Sequence, residues 1–276
     1  MATLSSNTYG KTGVRLTYVH RSGEKHELRE LNVHIFFEGE FSATYASGDN
    51  SGVLPTDTMK NTVYVLAKQL RWNDIETFAR GLAGHFLGRV PQLRQVKIEI
   101  SETPWEHIGG HATAFVQRGA ERRITELTAS RSKKLTTSGL KNLQILKTAN
   151  SAFAGFIKDE FTTLPETDDR LFGTVLNAEW TYTRADIDFN ALHKNIRETL
   201  LNIFAEHHSL SVQHTLFAMA EAVVKAFDVV GEIHLTMPNK HCLPVDLAKF
   251  GLENSNQVFI PIDEPSGYIE ARVTRG

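Results

Sequence analysis

One order of elements occurs twice along this 276-residue chain, and it limits the possible folds more than any other feature. In TGVRLTYVHR, Val14, Leu16 and Tyr18 alternate with polar residues, the period of a half-buried strand. The turn SGEK follows, and then the long run HELRELNVHIFFEGEFSATYAS, so the two runs read as a long antiparallel hairpin. Two helices come next. Met59, Val63, Leu66 and Leu70 mark one apolar stripe, and Ile75, Phe78, Leu82 and Phe86 mark the other. Strands return with Val96, Ile98 and Ile100 in alternation and with the short apolar HATAFVQRG. The order then repeats. RRITELTAS and RLFGTVLNAEWTYTR read as strands, Phe189, Leu192, Ile196, Leu200 and Ile203 as a helix that Asp188 caps, and Leu216, Ala220, Val223 and Phe227 as a helix beginning near Ser211. Ile233, Leu235 and Met237, then QVFIPID and GYIEARVTR, supply the closing strands.

Strands and helices segregate rather than alternate, so the expected class is α+β, with antiparallel sheets carrying helices on one face. The boundary between repeats is placed near the start of the polar, basic stretch TASRSKKLTTSGLKNLQILKTANSAF, dividing residues 1–132 from 133–276. Pro104-Trp105-Glu106-His107 and Pro238-Asn239-Lys240-His241 follow equivalent strands and echo the duplication weakly. A four-stranded sheet with two helices on one face leaves the other face open. Assembly into a homo-oligomer covers it and also removes exposed strand edges.

Composition narrows the function. The formal net charge is −2 with no basic stripe, which sets nucleic-acid binding aside. The lone Cys242 excludes an internal disulfide framework and a Cys-rich zinc site, and it fits a reducing compartment. No apolar run reaches the length of a membrane span. The N-terminus lacks the regions of a secretory signal and the C-terminus lacks a Ser-Lys-Leu address, so the expected location is cytoplasmic. Phosphate-binding loops, dinucleotide glycine fingerprints, His-Glu-x-x-His and nucleophile elbows are absent. AEHHSLSVQH contains His207, His208 and His214, but adjacent histidines at a helix end point to different sides and form no metal clamp by themselves.

The chemistry-bearing stretches each have a plain reading. Lys11 in TYGKTG is a solvated lysine at a strand edge, and Phe153 is a core aromatic. Arg170 pairs with Asp168 or Asp169, Gln213 sits exposed behind a Ser211 cap, and MPNKHC is an ordinary turn. Thr56, Asp57 and Thr58 stand in a row after Pro55, where one capping oxygen would satisfy the helix start. The second helix shows a capping-box pattern with Asn73 as N-cap and Glu76 three residues on.

Taken together, however, YGK with VRL, TDTMKNTVYVLAK, FAGFIKDEFTTLPETDDR, SVQ, MPNKH and SGYIEARV occur in an order that resembles urate oxidase, the cofactor-free uricase family, over nearly the whole chain. The run from Asn150 to Arg170 is the most specific part. The resemblance implies tandem tunnelling-fold (T-fold) β2α2β2 units, assembled as a homotetramer into a tunnel-forming barrel. It also implies active sites between subunits, no cofactor and no metal, and oxidation of urate by O2 to 5-hydroxyisourate and H2O2. The substrates are therefore urate and O2.

The resemblance also implies roles. Arg170 and Gln213 clamp opposite edges of the purine, where a guanidinium favours the anion and an amide offers both donor and acceptor. Val212 donates its backbone N–H from a helix N-terminus. Phe153 stacks under the ring and Leu164 walls it. Thr56 and Asp57 come from the neighbouring subunit, Thr56 through its hydroxyl and Asp57 through its backbone N–H, while Asp57 or Thr58 caps the helix. Lys11, Thr56 and His241 form a proton relay in which Lys11, close to arginine and partly desolvated, is expected to have a lowered pKa. Asn239 and Thr56 hold O2 and then the water that replaces it. Ala154 departs from the larger residue common at that place. The competing readings are a pterin- or guanine-type enzyme of the same fold, which anchors its heterocycle with glutamate, and a purine-binding protein without turnover.

Overall fold

The computed structural model describes residues 3–21, 23–117 and 119–276. It divides into two compact units: residues 1–139 with 186–191, and residues 140–185 with 192–276.

In the first unit, β1 (Tyr9–His20) and β2 (Glu27–Gly39) form the long hairpin. The chain continues through α1 (Ser42–Ser47), α2 (Thr56–Gln69), α3 (Ile75–Arg89), β3 (Leu93–Thr103), the small hairpin of β4 (Trp105–His107) and β5 (Phe115–Gln117), and β6 (Arg122–Ala129). The sheet runs β1-β2-β3-β6 and is antiparallel throughout. Alternation buries Leu31, Val33, Ile35 and Phe37 of β2 and Val96, Ile98 and Ile100 of β3, and the same core takes Met59, Val63 and Leu66 of α2 and Phe78, Leu82 and Phe86 of α3. Each such side chain adds about 1.5–3 kcal/mol relative to exposure, so the core stabilises the sheet and its two helices as one body.

The local structure departs from the sequence reading in several places. The strand of the long run ends at Gly39, and Ser42–Ser47 turn into α1, which closes on Gly48 in the left-handed region at φ 71°. None of the Thr56-Asp57-Thr58 oxygens caps α2; Pro55 holds the N-cap position, without a side-chain cap. Asp57 turns its carboxylate along the helix to Lys60 at 2.5 Å and Asn61 at 2.9 Å. The cap of α3 is Asp74, whose Oδ1 accepts from the Thr77 N–H at 2.6 Å, not Asn73. No capping box forms, because Glu76 is drawn into the core. There Arg123 Nη2 donates to it at 2.8 Å and Ser138 Oγ at 2.6 Å. Burial pushes the Glu76 carboxyl up while Arg123 pulls against it. RRITELTAS supplies β6, which pairs with β3.

The strand that opens the second set is β7 (Lys134–Lys147), inside the stretch whose polar composition hid it. It is followed by β8 (Phe172–Tyr182), α4 (Phe189–Glu206), α5 (Val212–Ala226), β9 (Val230–Thr236), β10 (Asn239–Pro244), β11 (Phe259–Gly267) and β12 (Glu270–Thr274). Asp188 Oδ1 accepts the Ala191 N–H at 3.0 Å, the expected cap of α4. In the second unit, Leu176, Ala178 and Trp180 of β8 and Ile233 and Leu235 of β9 are buried, as are Ile196 and Leu200 of α4 and Leu216, Met219 and Val223 of α5. Phe172 meets Phe204 at 5.2 Å, which seats α4 on β8.

β9 and β10 lie in one register against β8. Thr236 pairs with Asn177 and Asn239 with Thr174, with Met237-Pro238 as an interruption because proline cannot donate to the ladder. MPNKHC is therefore strand rather than turn from Asn239 onward. On its other side the pairing slips between Asn239↔Gly267 and His241↔Ile262, a bulge beside two of the expected site residues. No helix among the described residues is long and apolar enough to cross a membrane.

Candidate active site

The expected site residues fall into two groups, one in each unit. In the first unit, the start of β1 lies so close to β2 that a Cβ on Gly10 would come within 1.9 Å of the Ile35 carbonyl oxygen, so only glycine fits before Lys11. The register then shifts between Lys11 and Val14. Such a bulge re-aims the side chain beside it, which lifts Lys11 out of regular alternation. Tyr9 binds this corner to the segment ahead of α2. Its ring packs edge-on against Phe37 at 5.6 Å and Phe41 at 4.8 Å, and its hydroxyl accepts the Leu54 N–H at 3.2 Å. Burial raises the Tyr9 pKa, so the hydroxyl stays protonated.

α2 begins two residues past Leu54, so Thr56 and Asp57 occupy its first two positions. Their N–H groups have no intrahelical acceptor and are available to an anion. Lys60 holds the Asp57 carboxyl below its ordinary value, with a smaller contribution from Lys11, which places the Lys11 charge within reach of the start of α2. The Asp57 carboxylate is engaged by Lys60 and Asn61 on its own helix, which leaves its backbone N–H uncommitted. Thr62 Oγ1 donates to the Thr58 carbonyl at 2.8 Å, while Thr56 Oγ1 has no hydrogen-bond partner among the described residues.

In the second unit, three distant segments meet through backbone hydrogen bonds. The Ala152 N–H donates to the Ser209 carbonyl at 2.7 Å, and the Ser209 N–H to the Asn150 carbonyl at 2.9 Å. Phe153 and Thr167 exchange bonds at 2.8 and 3.1 Å. Asp169 Oδ1 accepts the Ser151 N–H at 3.1 Å, so this carboxylate holds the loop rather than pairing with Arg170. Arg170 is half-buried, with its guanidinium carbon 5.1 Å from the Phe153 ring centroid, and burial lowers its pKa while it remains a cation. Phe156 stacks on Phe153 at 4.9 Å with planes 16° apart. Leu164 is half exposed on the same loop.

Ser211 caps α5 by accepting the His214 N–H at 3.1 Å from an extended backbone at φ −168°. Ser209 Oγ donates to the Ser211 carbonyl at 3.0 Å. Val212 buries its side chain, so its N–H faces out of the first turn, next to exposed Gln213. On β10, Asn239 and His241 share a strand face, with Asn239 Nδ2 3.5 Å from His241 Nδ1.

His207 and His214 lie with ring centroids 4.3 Å apart behind this helix start. His207 Nδ1 meets Thr215 Oγ1 at 3.1 Å, and His214 Nδ1 accepts the Leu210 N–H at 3.4 Å, so both rings serve the loop. Burial first, then His214 and Lys147, depress the His207 pKa. A base with a depressed folded pKa stabilises the fold above its unfolded value and loses that contribution as pH falls through the folded value. Thermal stability is therefore expected to decline as pH drops below about 6.5, the ordinary histidine value. His207→Gln should flatten that decline in melting curves recorded across pH 5–8; an unchanged slope would show that another group sets it.

Sequence reasoning missed the supporting residues Ser151 and Ser209 and gave Asp169 a different partner. Small polar residues in loops carry no periodic signal, and their partners lie far away along the chain. The second-unit corner offers an aromatic face, a guanidinium, an exposed amide and a helix N-terminus. That set suits a planar anionic heterocycle.

Comparison with known proteins agrees with this chemistry. The uricase family model matches residues 7–128 and 136–270. A uricase of Dictyostelium discoideum is 39% identical over 100% of this chain and 98% of its own. A uricase of Oryctolagus cuniculus is 36% identical over 97% of this chain and 93% of its own. The crystal structure of uricase from Arthrobacter globiformis superposes with a TM-score of 0.96 at 38% identity, covering 100% of this chain and 96% of that one. The fold is thus the antiparallel tunnelling fold, and the chain belongs to the uricase family, whose reaction is the oxidation of urate.

Proposed function

We propose that this chain oxidises urate with O2 without any cofactor, and that its own residues divide the work as follows. Urate, O2 and water give 5-hydroxyisourate and H2O2, a balance that needs no further reductant. Arg170 grips one edge of the urate anion in a bidentate, charge-assisted contact. Gln213 and the Val212 N–H take the opposite edge, and Phe153 fixes the plane of the ring while Leu164 walls it. Lys11, Thr56 and His241 move protons. Removing them from urate produces a dianion electron-rich enough to reduce O2 directly, so the protein contributes position and electrostatics. Asn239 and Thr56 hold O2 over the ring and then the water that attacks C5 as peroxide leaves. The observation that carries this reading is the corner in which Phe153, Arg170 and the first turn of α5 are tied together by the Ala152, Phe153 and Ser209 backbone bonds.

The complete site draws Lys11, Thr56 and Asp57 from one chain and the purine clamp from a neighbour in a homotetramer. Exposed Ile157 and Phe161, 96% and 81% accessible on the clamp loop, support a covering partner. The working location is a reducing cytoplasm, in keeping with free Cys242.

Near-UV absorbance of urate in aerated buffer with a strong chelator, with peroxide followed in parallel, tests the cofactor-free reaction. Equal loss of urate and gain of peroxide is expected; dependence on an added metal or flavin would refute it. Sharing of sites is tested by mixing. Tetramers reassembled from inactive Lys11→Met and inactive Arg170→Ala chains should regain activity, because some sites then receive both wild-type halves. Continued inactivity of well-assembled mixtures would place each site within one chain. Phe153→Ala should weaken binding of a urate analogue by about 0.5–1.5 kcal/mol, read by calorimetry.

A further inference from the structure

Opposite Asn239 stands a buried polar group for which neither the fold nor the mechanism has a use. Thr174 on β8 is 0% exposed, and its Oγ1 has no hydrogen-bond partner among the described residues. A threonine hydroxyl buried without a partner keeps its desolvation cost uncompensated, and such a group calls for an explanation, of which a role at a functional site is one. The position is informative. Thr174 stands directly opposite Asn239 in the antiparallel ladder, so both side chains leave the sheet on one side, neighbours across the strand gap. That side is the helix-facing one, shared with buried Leu176, Ala178 and Trp180. Arg170, which grips the purine, lies two residues before β8 begins.

We propose that Thr174 is a positioning residue for Asn239, on the reading of Asn239 given above. The Asn239 amide has one acceptor and two donor hydrogens. One hydrogen of Nδ2 is turned to His241 Nδ1, at 3.5 Å. Oδ1 accepts from no described residue, and the hydroxyl across the ladder is an unspent donor on that face. When substrate closes the site, Thr174 Oγ1–H donates to Asn239 Oδ1. With oxygen and one hydrogen both held, the second Nδ2 hydrogen points at the position over the ring. A donor there meets reduced oxygen, peroxide and hydroxide favourably. Without the threonine the amide is free to flip, and the carbonyl oxygen it then presents repels the same anions.

This role predicts a split that packing alone would not give. Thr174→Val removes the hydroxyl and keeps the shape. It should lower kcat/KM for O2 about tenfold, the worth of one well-placed hydrogen bond. Binding of a urate analogue should stay unchanged, because the clamp is untouched. Tm should hold or rise, since an unpaired buried hydroxyl is lost. Thr174→Ser keeps the donor and should remain within about twofold of the wild-type oxygen efficiency. In an Asn239→Ala background, Thr174→Val should have no further effect. A slow Asn239→Ala combined with a Thr174→Val at full oxygen efficiency would overturn the proposal alone. Equal impairment of the Ser and Val variants would also overturn it, by assigning the loss to packing. Full oxygen efficiency in Asn239→Ala would remove the reading of Asn239 itself, and this proposal with it. If Thr174→Val does not assemble, Thr174→Ala makes the same deletion of the donor and is read the same way.

Discussion

Lys11→Met is expected to reduce turnover by about 10²–10⁴-fold, the usual contribution of a positioned proton-transfer group, while a urate analogue still binds. Methionine matches the length and most of the apolar stem of lysine, so the bulge at Lys11 and the Gly10 contact with Ile35 stay in place. What disappears is the amine whose charge reaches the first turn of α2, where Thr56 presents a hydroxyl not committed to its own helix. The clamp proposed for Arg170, Phe153, Val212 and Gln213 lies in the other unit and is untouched, which is why binding and turnover should separate. Steady-state kinetics together with analogue titration makes the check. Loss of analogue binding along with turnover would mean that Lys11 holds the substrate rather than relaying its protons.

The second large effect concerns stability. Glu76→Ala should cost about 3–5 kcal/mol, the range for breaking a buried ion pair from one side. Glu76 is 1% exposed, and Arg123 reaches it at 2.8 Å while also donating to Asn190 Oδ1 at 2.6 Å. Truncation leaves the guanidinium buried without its counter-charge and leaves the Ser138 hydroxyl without its acceptor. Replacing both partners, Glu76→Met with Arg123→Met, should recover much of the loss, because the desolvation penalty goes with the charges. Chemical denaturation of the single and double variants decides it. A single variant within about 1 kcal/mol of wild type would show that the pair contributes little beyond filling space.

The two departures at helix starts share a cause with these predictions. Asn73 and Glu76 have the spacing of a capping box, yet Asp74 caps α3, because Glu76 serves a tertiary partner 47 positions away along the chain. Thr56, Asp57 and Thr58 have the composition of a cap, yet Pro55 leads directly into α2 and frees the hydroxyl of Thr56. At α3 a residue with strong local preferences is used for something non-local. Local propensity is worth about 1 kcal/mol, and a buried charge pair outweighs it.

Several things were determined by the sequence alone. Period-2 runs on either side of period-3.6 stripes dictate antiparallel sheets with helices on one face, because each element must bury the side its apolar residues share. The long string from Asn150 to Arg170, with TDTMKNTVYVLAK and MPNKH, identifies the family. Only tertiary structure decided the rest. β7 is a strand despite its polar composition, because a strand's place in a sheet comes from its neighbours' hydrogen bonds as much as from its own side chains. The three segments around Phe153, Arg170 and Gln213 meet through backbone bonds that carry no side-chain signature. Thr174 reads in the sequence as one more β-branched residue in a strand, and its orphaned hydroxyl opposite Asn239 is visible only once β8 and β10 are set in register.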